Sequence, residues 1–255
     1  MLWRKSWRET WFMVLVFLGM ALLFIAWRPL VAPWVSPLEE GAPTWSEDLR
    51  RLLPLLRSHQ SSVWSYWFKL MLLMMWPMYA VAQGVTLYVA SCPWMGGGPG
   101  AAGLFTFSLP VSRRRVLLTH AALVGVELVL VAIAPSLIFP IVSHLTGGNV
   151  TFGSTLVYAL LLSLGGMIFP AFSYLLTAVF NSQWKVFVIG IVFVFTLFFP
   201  IRLVEEYPWW NVYHVMSGET YFRYGKIPWL GLLASLAVST AMMFAAVRIY
   251  ERRDF

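Results

Sequence analysis

Six stretches of this chain, 11–27, 70–91, 116–142, 154–180, 186–201 and 228–247, are almost free of charge. Each is long enough, or nearly so, to cross a bilayer as a helix, since a hydrocarbon core roughly 30 Å thick takes about 20 apolar helical residues. Inside lipid every backbone polar group needs an internal partner, which leaves helices and closed barrels as the spanning structures. Barrel strands would show ~10-residue alternation of apolar and polar positions, and these runs do not alternate. The pattern predicts an all-α fold: a polytopic membrane bundle of six transmembrane helices. Composition agrees. The 255 residues are 60% apolar and 11% charged, with mean hydropathy +0.74, whereas soluble domains hold about 45–50% apolar and about 25% charged residues. A soluble globule, a disordered chain and a disulfide-stapled secreted fold are excluded, the last because Cys92 is the single cysteine.

The connectors are short. The longest, 28–69, falls below the usual soluble-domain size of about 50–250 residues, so 1–255 reads as one transmembrane domain. The first run follows a basic start, as in a secretory signal, but it exceeds the ~7–15 residues of a signal core. It ends in Ala26-Trp27-Arg28-Pro29 without a small-x-small cleavage pattern, so it reads as a retained helix. Lys and Arg are about twice as dense in 1–10, 92–115, 181–185 and 248–255 as in 28–69, 143–153 and 202–227. The first set is therefore expected inside the cell and the second outside, with both termini cytoplasmic. This use of the +7 net charge, scattered over short connectors, argues against a nucleic-acid partner.

Residues 1–10 place Trp3 and Trp7 on one helical face in line with Trp11, with Arg4, Lys5 and Arg8 around them. This predicts an N-terminal interfacial helix. In the outer connector 28–69, Ser46 followed by Leu49, Leu52, Leu53 and Leu56 predicts a short surface helix. The aromatics of 202–227 fit a headgroup-level belt; His214 and Glu219 within it leave an acid–base or metal pair as the sharper alternative. Within the spans the charged residue is Glu127, with His120 nearer the inner end. An intramembrane ionisable group is a functional candidate by default, and a carboxyl bonded to a neighbouring helix is the structural alternative. Pro77, Pro135, Pro140, Pro170 and Pro200 predict kinks. Gly231, Ser235 and Ser239 form a small-residue stripe for close helix packing.

No local signature of chemistry is present. The string GNVTFGST from Gly148 lacks the lysine of a phosphate-binding loop, and neither Cys-x-x-Cys nor His-Glu-x-x-His occurs. No catalytic residue, metal ligand or cofactor site is read in this chain. The informative segment is the inner connector 92–115, where GGGPGAAG at 96–103 precedes the apolar stretch Leu104, Phe105, Phe107 and Leu109, a turn at Pro110, Ser112 as a helix cap, and Arg113, Arg114 and Arg115. The arginines fit orientation and lipid headgroups. The apolar stretch on the cytoplasmic side requires a partner surface or the membrane itself.

The string FSLPVSRRRVLL, 107–118, resembles the stretch that follows the coupling helix in membrane subunits of ABC exporters of the second class. In that family the first cytoplasmic connector often reads Glu-x-Gly-Thr followed, after five residues, by Ser-Leu-Pro-Val-Ser-Arg. The final ten residues, AVRIYERRDF, resemble the family's basic-acidic tail after the last span. Where acidic residues usually precede the glycine, this chain has GGGPGAA at 96–102. The resemblance implies a permease subunit of an ABC transporter in the cell membrane, a bacterial inner membrane in the usual case. It implies export of an apolar or amphipathic cargo. A separate ATP-binding cassette ATPase subunit, carrying ATP and magnesium, would dock on 96–115, and a second permease copy or related permease would complete the path. Leu104, Phe105, Phe107, Leu109 and Pro110 would meet the ATPase, with Arg113, Arg114 and Arg115 setting the start of the third helix. Two other readings remain: an ATP-independent transporter or channel, for which Glu127 is the candidate, and a membrane-embedded enzyme, for which His144, His214 and Glu219 are.

Overall fold

The computed structural model describes residue 7 and residues 10–26, 60–91, 112–145, 150–180, 182–198 and 211–252. Four sequence-based expectations lie outside them: most of the interfacial segment 1–9, the surface helix of 28–59, the connector 92–111 with Leu104 to Pro110, and 199–210.

The described residues are helical throughout, without strands. In chain order the helices are α1 (Thr10–Ala26), α2 (Gln60–Ser91), α3 (Arg113–Leu145), α4 (Phe152–Gly165), α5 (Ile168–Val179), α6 (Gln183–Phe198), α7 (Val212–Met216), α8 (Glu219–Tyr224) and α9 (Trp229–Arg252). Among the described residues four segments are long and apolar enough to cross a membrane: 68–86 of α2, 114–145 of α3, 152–179 of α4 and α5 together, and α9. The chain is thus a membrane-embedded helical protein. α1 and α6 are apolar but shorter; the 16 residues of α6 rise about 24 Å against a core of roughly 30 Å.

Two boundaries differ from the sequence reading. α2 is already helical at Gln60, ten residues before the expected 70, since no proline stands between 60 and 77 to break it. The run 154–180 is two helices rather than one. Pro170 has no N–H to offer the Gly166 carbonyl four residues back, which instead accepts from the Phe169 N–H at 3.0 Å. Phe169 therefore leaves the Gly165 carbonyl without an intrahelical donor. Ser235 of α9 supplies one, its hydroxyl donating at 2.5 Å. The break is stabilised from the other side by Trp76 of α2, wholly buried. A Cβ on Gly166 would lie 2.3 Å from its ring, while its indole N–H donates to the Leu128 carbonyl of α3 at 3.0 Å.

α2 and α5 form the centre, where small residues let the backbones approach. A Cβ on Gly84 would fall 1.8 Å from the Ser173 hydroxyl oxygen. Ser173 donates to the Val81 carbonyl at 2.9 Å and Thr177 to the Gly84 carbonyl at 3.0 Å. α6 packs against both α2 and α5, with Gly190 facing Val81 and Phe193 stacked on Phe172, ring centres 4.1 Å apart. α3 packs on α2 and α4, its Phe139 stacked on Phe68 with ring centres 4.0 Å apart. α9 covers α5 and contacts α3, α4 and α7. Its small-residue stripe faces inward: Ser235 and Ser239 are buried, and Gly231 makes room for Val215 of α7.

Candidate functional site

The polar groups buried among these apolar helices converge on Glu127. α3 presents Glu127 and His120 seven residues apart, two turns on one face, and both are buried. On the facing side of α2, Tyr79 and Gln83 are one turn apart and equally enclosed. The Tyr79 hydroxyl and the Gln83 amide each donate to Glu127 Oε2 at 3.3 Å, and Gln83 also donates to the Tyr79 oxygen at 2.6 Å. The other carboxyl oxygen, Oε1, takes the hydroxyl of Thr10 from α1. The Thr86 hydroxyl donates to the Gln83 backbone carbonyl at 2.7 Å and lies 3.3 Å from the Gln83 side-chain oxygen. Three helices therefore meet at one carboxyl with a donor on each oxygen, as a buried polar group requires.

Two turns away, His120 Nδ1 stands 3.1 Å from the Tyr174 hydroxyl of α5, the rings edge to face. His120 Nε2 has no hydrogen-bond partner among the described residues. The cluster thus touches α1, α2, α3 and α5. Its chemistry is that of a hydrogen-bonded clamp between helices, with one imidazole nitrogen left over.

The sequence-predicted residues separate into groups. Glu127 lies at the hub. Arg113 is the first residue of α3, and Arg114 and Arg115 are exposed. Thirteen residues separate Arg114 from Glu127, about 20 Å of helix, so the arginines and the carboxyl are distinct places. Ser112 sits at the cap position, its carbonyl accepting from the Arg115 N–H at 2.9 Å. His144 is exposed at the opposite end of α3. His214 Nε2 is 2.9 Å from the Thr220 hydroxyl across the corner between α7 and α8. Among the described residues no group of three or more His, Cys, Asp or Glu comes together.

Thr10, Tyr79 and Gln83 escaped the sequence reading. Thr10, expected at the membrane surface with the interfacial segment, is fully buried against Glu127. The available signal was Gln83, the strongly polar side chain inside the second apolar run, with Tyr79 one turn before it.

Two cavities lie elsewhere between the helices. One of about 510 Å³ lies between α1 and α2, lined by Phe17, Met20, Leu23, Phe24, Met71 and Met75. Its unbranched, polarizable methionines suit variable apolar shapes. The other, about 480 Å³, lies beside the helix break, where Ile168, Val215 and Leu230 surround the polar side chains of Asn211, His214 and Ser235. No family model, no curated protein and no solved structure matches this chain.

Proposed function

We propose that this chain is the permease subunit of an ABC exporter of the second class, forming the membrane path for an apolar or amphipathic cargo. The observation that carries the reading is the stretch 107–118, FSLPVSRRRVLL, which leads into a long apolar helix, one of six apolar helices among the described residues. ATP is hydrolysed in a separate subunit docked on the connector 96–115, and a second permease copy or a related permease completes the path. The six apolar helices are taken as six spans with both termini cytoplasmic, α1 and α6 crossing despite their shortness. Support for an apolar or amphipathic cargo comes from the two cavities, one almost wholly apolar and one apolar with polar groups at one wall. The broken helix formed by α4 and α5 supplies a bend that a rocking path can use, since irregular backbone inside a membrane is tolerated where protein covers it.

The test is capture of the ATPase. The native chain, isolated in mild detergent from its own membrane, is expected to bring an ATP-binding cassette subunit with it. The triple variant Leu104→Asp, Phe105→Asp, Phe107→Asp is expected to insert normally and to lose that subunit. Recovery of the ATPase at native yield by the triple variant overturns the docking site. A native chain that moves cargo without any nucleotide-hydrolysing companion overturns the reading as a whole.

A further inference from the structure

At one end of the bundle the first turn of α3 meets the last turns of α9, and a groove of about 280 Å³ runs between them. Its rim carries two guanidinium groups and one carboxylate, Arg114, Arg248 and Glu251, all exposed. Among the described residues none of the three has an ion-pair partner. The Arg248 guanidinium instead lies over the Phe244 ring, 5.1 Å from its centre. Below the rim the walls turn apolar, with Leu118 on α3 and Met243 and Phe244 on α9, as far as Thr240.

Depth identifies the occupant. Below the charged rim, from Val247 down to Thr240, α9 rises about 10 Å, about two thirds of one leaflet of a hydrocarbon core roughly 30 Å thick. A charged rim at the end of two membrane helices, continued by an apolar track through most of a leaflet, matches a molecule with an anionic head and a long alkyl chain. A free anion would leave the track unused, and a protein surface would not reach down it. Two positive groups and one negative leave the rim with a single net positive charge, the complement of a monoanionic head. The carboxylate can accept from a hydroxyl on that head.

We propose that this groove is a binding site for one monoanionic phospholipid, its phosphate between Arg114 and Arg248 and one acyl chain along the track to Thr240. The proposal needs only a membrane-embedded chain and does not rest on the permease reading.

The probe is phosphatidylglycerol, titrated into mixed micelles of phosphatidylcholine and detergent holding the full chain, with bound lipid counted by native mass spectrometry. Three variants are compared with the native protein. Arg114→Gln with Arg248→Gln removes the rim charges, and Arg115→Gln with Arg252→Gln removes two exposed charges outside the groove. Thr240→Trp fills the track at an exposed position without changing charge. The groove pair is expected to bind phosphatidylglycerol about thirtyfold more weakly, the loss expected for two basic residues at a membrane surface. The control pair should stay near native affinity, and Thr240→Trp should weaken binding although every charge is intact. Equal losses in both arginine pairs would reveal diffuse surface attraction and overturn the site. Native binding by Thr240→Trp would mean that a phosphate alone is held, and overturns the lipid. Unchanged lipid binding by the groove pair, with loss of a captured ATPase, would assign these charges to a protein partner and overturn the proposal while leaving the permease reading intact.

Discussion

Glu127 shows how a single residue can be legible in a sequence while its surroundings are not. A carboxyl among apolar residues stands out one position at a time. Its donors lie 117, 48 and 44 residues away, brought in by the register of three helices, and register has no local signature. The carboxyl is bonded to neighbouring helices, the structural alternative in the sequence reading, and the cluster reaches further than expected because Thr10 commits the short α1 to it. Hydrogen bonds between membrane helices average about 0.6 kcal/mol and reach about 1.7 kcal/mol. Thr10→Ala and Glu127→Ala should each destabilise the bundle by about 1 kcal/mol in detergent-titrated unfolding. In the double variant the losses should fall short of additive by about 0.5 kcal/mol or more, the mark of groups in direct contact. Fully additive losses would show that the two side chains do not hold one another.

At the scale of elements, existence and type were readable and internal breaks were not. The apolar runs located α1 to α6 and α9 because lipid demands an uninterrupted apolar length. The break between α4 and α5 arises from three features acting together: Pro170 withholds a donor, Ser235 of a distant helix satisfies the freed carbonyl, and Trp76 occupies the space that a side chain at 166 would take. The first and the glycines were in the sequence; the other two are tertiary. A break fixed by packing is sensitive to one methyl group. Gly166→Ala is expected to cost about 1–3 kcal/mol by overpacking against Trp76. In a Trp76→Phe background, where the ring atoms nearest that methyl are gone, the same change should cost clearly less. Equal costs in the two backgrounds, measured by thermal unfolding in detergent, would separate the break from the tryptophan.

Over the whole molecule the decisive question is how many times the chain crosses, and the packing bears directly on α6, one of the two apolar helices that length leaves short. The groove sets the end of α9 beside the start of α3. α3 and the α4–α5 pair each traverse the bundle, so the chain leaves α5 at Phe180 on the side where α9 ends. α9 must begin on the opposite side, which requires one crossing between 180 and 229. α6 fits it: Asn211, next to α7, donates to the Leu197 carbonyl near the end of α6 at 2.9 Å. α7 in turn meets Gly231 at the start of α9 through Val215. A 16-residue helix can serve because a short span is accommodated by local thinning of the bilayer at a modest cost, fractions of a kcal/mol per Å. With Cys92 replaced by serine, single cysteines at Ser182 and Lys226 should react with a membrane-impermeant maleimide from opposite sides, Ser182 from the cytoplasm. Labelling of both from one side would remove α6 as a span and overturn the proposed count of six.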